Sequence, residues 1–279
     1  MPLFARQQLS GGFVPLLTSQ AGSCLTFANW KEASVKAISC HLADLLMKPG
    51  LSVLNSLSTI RSYFNWSGEV ILNAMLPPPN REDVYKIRSL YDGAIIQIDA
   101  SSLFALISQL QPERVILPLG SAGYFSQFWN QQSVDTMVYL HESENLPDTA
   151  TKLGRYINLD SQKSFSRSLA EINTSHEHLY IMGDFNLAQM KELSSSKKYL
   201  FESDKPASDG MTGVVYSFDG PINILDTDMM NDHQPIDSRC SCQTCRTPFT
   251  RAHLHHLLQH TPLLAQRYLI QHNVSFMFL

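Results

Sequence analysis

The sequence predicts an α/β protein with the architecture of a TIM-type (β/α)8 barrel. Short apolar segments of strand length alternate along the chain with segments whose apolar residues recur at helical spacing. Apolar runs without polar alternation are typical of parallel strands in a sheet that helices cover on both faces. A doubly wound sheet is the alternative, but no glycine-rich phosphate loop follows any of these runs, which removes the commonest use of that fold.

The apolar runs match the eight strands that such a barrel requires. The predicted strands are residues 12–19, 69–73, 94–98, 114–118, 136–140, 156–159, 178–183 and 198–202. Helices are predicted at residues 29–39, 53–64, 100–111, 164–173 and 187–194. The pattern changes from residue 211, because residues 214–224 alternate as a hairpin does around a Phe-Asp-Gly-Pro turn.

Composition and charge narrow the class of protein. The chain has 279 residues, of which 44% are hydrophobic and 16% are charged, as is usual for a globular protein. No apolar run reaches the roughly 20 residues of a membrane-spanning helix, and the N-terminus lacks the layout of a signal peptide. We therefore expect a cytoplasmic protein without a membrane partner, in which Cys24 and Cys40 stay reduced. The net charge of −4 does not indicate a polyanion partner, so nucleic-acid binding would need a local basic face.

One short segment is rich in metal-ligating residues. Three of the five cysteines lie in Cys240-Ser-Cys242-Gln-Thr-Cys245. Thiolate and imidazole are the ligands that structural Zn²⁺ sites use, and a C-x-C-x-x-C turn can supply three of the four. The fourth ligand would be a histidine from the helical segment that follows. Spacing alone does not choose among the candidates, which are His253, His255, His256, His260 and His272. The same region holds the candidate basic face, which comprises Arg239, Arg246, Arg251 and Arg267.

The surroundings of these cysteines resemble a known family. The run Pro235-Ile-Asp237, the cysteine motif, Arg251-Ala-His-Leu-His-His-Leu257 and Leu269-Ile-Gln-His-Asn273 is similar to the zinc region of tRNA-guanine transglycosylases. In that family the fourth ligand is the histidine of a His-Asn pair, which is His272 here. The resemblance therefore implies one Zn²⁺ ion, held by Cys240, Cys242, Cys245 and His272.

The resemblance extends thinly along the rest of the chain. Tyr180-Ile-Met-Gly183 is similar to the Tyr-Leu-Met-Gly of the family, which implies that Met182 and Gly183 lie under the base pocket. It also implies a single transglycosylase-like barrel domain over residues 1–279, including a β-hairpin and zinc-binding subdomain at residues 211–272. The chain stops at Phe278-Leu279, where the last barrel helix of the family begins. We therefore expect a barrel that is incomplete at its C-terminus, with an apolar tail at 274–279 that forms an interface or completes a strand.

The chemistry of the family needs two carboxylates. One attacks C1′ of the ribose and displaces guanine, and the other handles protons as the new base enters. In this sequence the nucleophile falls on Glu202, which has one methylene more than the family's aspartate, and the proton-handling residue falls on Asn73. An amide cannot accept a proton at neutral pH. Asp204 and Asp209 are near enough in sequence to act instead, although neither matches by position.

Three interpretations follow from these residues. The first is a non-catalytic family member that binds tRNA or a partner, as a homodimer or as a heterodimer with a catalytic member. The second is a base-exchange glycosyltransferase, active or of altered specificity, that uses Glu202 as the nucleophile. The third is a zinc-stabilised barrel with an unrelated function.

Overall fold

The computed structural model describes residues 12–123, 135–145, 152–159, 178–196, 199–247 and 249–279, together with Phe165. The strands are β1 (Gly12–Pro15), β2 (Ala37–His41), β3 (Glu69–Asn73), β4 (Val84–Arg88), β5 (Ile95–Asp99), β6 (Arg114–Ile116), β7 (Met137–His141), β8 (Lys152–Leu159), β9 (Leu179–Gly183), β10 (Tyr199–Ser203), β11 (Val214–Val215) and β12 (Ile222–Asn223). The helices are α1 (Phe27–Glu32), α2 (Leu42–Leu45), α3 (Leu51–Leu54), α4 (Ile60–Phe64), α5 (Ala100–Leu110), α6 (Leu187–Ser196), α7 (Lys205–Met211), α8 (Gln243–Arg246), α9 (Arg251–His260) and α10 (Pro262–Phe276).

Eight strands form one parallel sheet in the order β1-β10-β9-β8-β7-β6-β3-β2. The two ends of that order meet, because Leu16 and Ser39 form a parallel bridge and the Leu17 amide donates to the Ser39 carbonyl at 2.8 Å. The sheet is therefore a barrel of the TIM type, as the sequence predicts. The seam between β1 and β2 has fewer backbone pairs than the other strand contacts.

Alternate strand positions point into the barrel and fill it. The interior cluster consists of Val14, Ala37, Ile71, Ile116, Met137, Tyr139, Tyr156, Tyr180, Met182 and Leu200. The other strand face packs against the helices in a larger core that includes Ile38, Val70, Val138 and Ile181, each fully buried. Because both faces of each strand are covered, the strands read as apolar runs in the sequence.

Three of the predicted elements are wrong, and one of them is the helix at 53–64, which the structure divides into α3 and α4. Residues 94–98 are not a barrel strand, since β5 pairs antiparallel with β4 in a separate two-stranded hairpin. Residues 29–39 are not one helix, because α1 ends at Glu32, Ser34 has a φ of 65°, and β2 begins at Ala37. Short apolar runs fit either type of element, so spacing alone did not separate them. The predicted helix at 164–173 lies outside the described residues apart from Phe165.

The C-terminal segment is helical through Phe276 and covers the barrel, so the expectation that 274–279 completes a last strand is wrong, whereas an interface there stays a prediction. Ile270 and Val274 of α10 are fully buried in the main core, and Phe276 is also buried. Helix α10 lies close against α7, because a Cβ at Gly210 would stand 2.7 Å from the Ile270 nitrogen. Only glycine permits this approach.

A small subdomain lies between α7 and α10. Its hairpin, β11 and β12, pairs antiparallel as predicted. Val215, Ile224, Leu254 and Leu269 are fully buried in a core of their own there. Among the described residues, no helix is both long and apolar enough to cross a bilayer.

Candidate functional site

The predicted metal ligands meet at one point in the subdomain. His272 Nδ1 lies 3.3 Å from the sulfurs of Cys242 and Cys245 and 3.8 Å from that of Cys240. All four ligand atoms lie within 4.8 Å of one another. Cys242 is the N-cap of α8, which places Cys245 one turn later, and the Cys245 amide donates to the Cys242 sulfur at 3.4 Å.

The orientation of His272 is fixed by its other ring nitrogen. Nε2 lies 2.7 Å from the Tyr216 carbonyl oxygen, which can only accept, so Nε2 carries the proton and Nδ1 offers its lone pair to the sulfurs. Asn273 completes this connection, since its Oδ1 accepts from the Tyr216 amide and its Nδ2 donates to the carbonyls of Pro206 and Val214. The His-Asn pair thus joins α10 to the hairpin.

The donor set fits a tetrahedral zinc ion. Bond lengths of about 2.3 Å to sulfur and about 2.0 Å to nitrogen place sulfur and nitrogen ligands about 3.5 Å apart in a tetrahedron. The separations of 3.3 and 3.8 Å agree with that geometry. Hydrogen bonds from Cys240 and Cys245 lower the pKa of the Cys242 thiol to about 3, whereas those with Cys240 and Cys242 raise the pKa of Cys245. These four residues could therefore hold a metal ion.

The competing histidines have other contacts. His255 binds the Ile224 carbonyl through Nδ1 and Gln259 through Nε2, at 2.8 Å in each case. The rings of His256 and His260 pack on each other at 4.3 Å, and His253 stacks on Phe249 at 5.5 Å. The structure thus selects His272 where spacing could not.

A second group of polar side chains lies at the carboxyl ends of the barrel strands. Glu202 on β10 is buried, with 6% of its surface exposed. One carboxylate oxygen accepts from Ser39 at 2.5 Å and from Tyr180 at 2.8 Å, and the other lies 2.6 Å from His41 Nε2. Both oxygens of Glu202 are therefore occupied by donors from β2 and β9.

Glu202 and His41 form an ion pair. Burial by itself raises the pKa of Glu202, but the hydrogen bond and charge of His41 and the bonds from Ser39 and Tyr180 outweigh it, so the pKa is lowered. Burial lowers the pKa of His41, and Glu202 reverses this, so that pKa is raised. Both shifts favour the charged forms at neutral pH.

Asn73 lies beside this pair on β3. Its Oδ1 accepts from the Met75 amide at 3.1 Å, which orients the side chain. Its Nδ2 stands 3.2 Å from the Met182 sulfur and 3.3 Å from His41 Nε2. Because the protonated Nε2 of His41 donates to Glu202 and has no free lone pair, the Nδ2 group of Asn73 contacts His41 without a hydrogen bond to it.

A cavity of about 380 Å³ opens at this end of the barrel. It is lined by predicted site residues and their neighbours: His41, Asn73, Met182, Gly183, Glu202 and Asp204. Pockets that hold small organic ligands begin at about 300 Å³. The structure thus places Glu202, Asn73, Met182 and Gly183 around one cavity.

The two other aspartates have different surroundings. Burial raises the pKa of Asp204 to about 6, although Ser19 donates to it at 2.5 Å. Asp209 is engaged elsewhere, since it pairs with Lys205 and accepts from the Tyr216 hydroxyl at 2.8 Å. Asp204 is therefore the one of the two that lines the cavity.

The candidate basic face is largely used within the protein. Arg239 pairs with Asp219 and Asp237, and Arg251 pairs with Asp232 at 2.8 Å. Arg267 donates to the Asn29 side chain at 2.9 Å. The fourth arginine, Arg246 on α8, is exposed. The four arginines that are close in sequence therefore do not form a cluster of free cations.

Comparison with known proteins finds relatives of one kind. A family profile described as Queuine tRNA-ribosyltransferase matches residues 167–279. The chain is 23% identical to a queuine tRNA-ribosyltransferase of Methylacidiphilum infernorum, over 95% of this chain and 84% of that protein. It is 22% identical to one of Thermotoga petrophila, over 95% and 83%. A stretch of 77 residues is 34% identical to one of Sphingopyxis alaskensis, covering 28% of this chain and 20% of that protein.

The fold and site define the class as a TIM-type barrel protein with a Cys3His group that could hold a metal ion. The chain is similar to queuine tRNA-ribosyltransferases over most of its length, and the family profile matches its C-terminal part.

Proposed function

We propose that the chain is a zinc-binding transglycosylase-like protein of queuosine-type tRNA modification that is impaired in catalysis and acts by binding tRNA or a partner. The observation that carries this proposal is the state of Glu202. Its two oxygens accept three hydrogen bonds, which stabilise the negative charge of the carboxylate and so lower its nucleophilicity towards a ribose. With Asn73 at the second carboxylate position, general acid–base assistance worth about 10²–10⁴-fold in rate is absent there.

The zinc part of the proposal concerns stability. A bound ion would be held by Cys240, Cys242, Cys245 and His272, and it would cross-link the hairpin subdomain to α10. A site with four protein ligands is a structural one, because it has no open position for water.

We also propose that residues 1–279 form a single domain with 211–272 as its zinc subdomain. We propose that the protein is cytoplasmic, and that it forms a homodimer or pairs with a catalytic family member.

A base-exchange assay tests this function. Purified protein is incubated with tRNA that carries labelled guanine, beside a catalytic family member at the same concentration. We expect guanine release at least about 100-fold slower than that of the catalytic member. Release at a comparable rate by the wild type, and its loss in Glu202→Gln, would establish the protein as an enzyme instead.

The position of Asp204 favours the second function, an active or altered-specificity base exchange with Glu202 as nucleophile. A carboxylate with a pKa of about 6 in the cavity has the acidity suited to general acid–base work near neutral pH. If this function is correct, Asp204→Asn abolishes release whereas Asp184→Asn, an exposed residue lining the same cavity, retains it.

A further inference from the structure

The hairpin of β4 and β5 has one buried face and one free face. Tyr85, Ile87 and Ile98 point into the main core. On the opposite face, Lys86 pairs with Gln97 across the strands and Arg88 pairs with Ile95, and all four side chains are exposed. This face therefore presents two cations next to an exposed aliphatic side chain.

The turn that connects the two strands presents large apolar side chains to solvent. Leu90 is 85% exposed, Tyr91 is 63% exposed and Ile95 is 56% exposed. Lys48 Nζ lies 3.8 Å from the centre of the Tyr91 ring, so a cation and an aromatic ring share one spot. We call Lys48, Lys86, Arg88, Tyr91 and Ile95 the hairpin surface.

The hairpin surface stands at the end of the barrel where the cavity opens. Strands β2 and β3 end at His41 and Asn73, which both line the cavity. The segment after β2 carries Lys48, and the Leu90 amide donates to the Met47 sulfur at 3.4 Å. The hairpin turn thus rests on a segment that leaves the barrel at the cavity rim.

The charge of the hairpin surface is available to a ligand. Within the described residues, neither Lys86 nor Arg88 forms an ion pair or hydrogen bond through its side chain. Two nearby carboxylates bond to neutral donors rather than to these cations, since Asp92 accepts from the Ala94 amide at 3.1 Å and Asp99 caps α5 through Ser101 and Ser102. In the described part of the chain, a lysine and an arginine without a carboxylate partner therefore lie on the same hairpin as an exposed tyrosine.

We propose that the hairpin surface binds single-stranded RNA, with Tyr91 stacking on a base and with Lys86 and Arg88 contacting the flanking phosphates. Aromatic side chains beside cations are how proteins hold unpaired nucleotides, because every base has a face to stack and every linkage a negative charge. An apolar protein partner would suit the exposed apolar side chains of this surface. Such a contact would, however, bury Lys86 and Arg88 without a counter-charge, which costs free energy. This inference rests on the proposed function and names the surface that contacts the tRNA.

The test is binding of a fluorescently labelled tRNA transcript, measured by anisotropy over a range of salt concentrations. Tyr91→Ala should weaken binding about 5- to 100-fold, and Tyr91→Phe, which keeps the ring, should stay within about twofold of wild type. Lys86→Ala with Arg88→Ala should reduce the slope of log Kd against log salt by about 1.4. The controls are Tyr63→Ala, a 44% exposed tyrosine on α4, and Lys31→Ala, an exposed lysine on α1.

The outcomes separate this inference from the proposed function. If the wild type binds the transcript and Tyr91→Ala binds no worse than Tyr63→Ala, RNA binding stands and the hairpin surface is wrong. If the wild type does not bind the transcript at low salt, the hairpin surface does not bind RNA, and the tRNA-binding part of the proposed function is also wrong. A wild-type dimer that Leu90→Ser dissociates, with transcript binding unchanged in Tyr91→Ala, would assign the surface to protein contact and overturn the inference.

Discussion

Replacing Glu202 by alanine is expected to destabilise the fold. The substitution leaves the hydroxyls of Ser39 and Tyr180, both fully buried, without their acceptor. Each unsatisfied buried donor costs about 1–3 kcal/mol. The side chain of His41 is 35% exposed, so water can solvate its charge and its loss contributes less. The substitution also removes the free-energy cost of burying the carboxylate, which offsets part of the loss. The net decrease in the free energy of unfolding is about 3 kcal/mol.

Urea denaturation followed by circular dichroism at pH 7 measures this change. For a chain of this size, about 3 kcal/mol corresponds to a fall in Tm of about 6 °C. Glu202→Gln should cost less, since the amide oxygen still accepts from Ser39 and Tyr180 while its nitrogen donates to neutral His41. The matched control is Asp184→Ala, because Asp184 is an exposed carboxylate on the same cavity and should change stability by less than about 0.5 kcal/mol.

The opposite result would refute the reasoning. Catalytic groups are often held at a cost to folding, so their removal stabilises the protein. If Glu202→Ala is as stable as the wild type or more stable, the three hydrogen bonds do not serve the fold. The carboxylate would then be a poised nucleophile, and the proposal of impaired catalysis would lose its main support.

Two further predictions concern metal and pH. Elemental analysis should find one zinc per chain, and Cys242→Ser should lose the metal and lower the Tm; a metal-free wild type, or a variant with unchanged Tm, would contradict the structural site. Asp204→Asn should stabilise the protein above pH 6. Burial raises the pKa of Asp204 from 3.8 to about 6, so its contribution is favourable only in the protonated form and is lost as pH rises through that range. The gain should be about 1–2 kcal/mol after solvent screening, and it should vanish at pH 4 in urea titrations; an equal gain at both pH values would show that charge is not its cause.

The sequence predicted the barrel better than it predicted the polar network inside it. Apolar runs identify strands that are covered on both faces, and seven of the eight predicted barrel strands overlap strands of the parallel sheet. Strand β2 was missed because Ser39 and His41 alternate with apolar residues, and a five-residue strand with polar side chains directed into the barrel does not form an apolar run. Missing the strand meant missing two of the three hydrogen-bond partners of Glu202, Ser39 and His41. Two-residue periodicity over 37–41 is the signal that would have found them.

The metal ligands show a different limit. Three cysteines in six residues predict, from local geometry alone, a turn that supplies three metal ligands. The choice of His272 depends on where α10 lies relative to the hairpin, and on the Tyr216 carbonyl that fixes the ring. Neither is visible in local spacing, so resemblance supplied what periodicity could not. The hairpin of β4 and β5 was likewise not predicted as a unit, because β4 alternates as a surface strand does whereas the isoleucines of β5 resemble a barrel strand.

The location of Glu202 gives a physical reason for its contacts. The seam between β1 and β2 is joined through one isolated bridge and one further backbone hydrogen bond, fewer than join the other strands. Glu202 on β10 binds Ser39 and His41 on β2, two strands away across β1, as well as Tyr180 on its neighbour β9. Glu202 therefore connects β9 and β10 with β2, across the seam at which the barrel has the fewest backbone contacts. The length of the glutamate side chain gives its carboxylate the reach to contact β2 across β1, and these contacts stabilise the closure of the sheet.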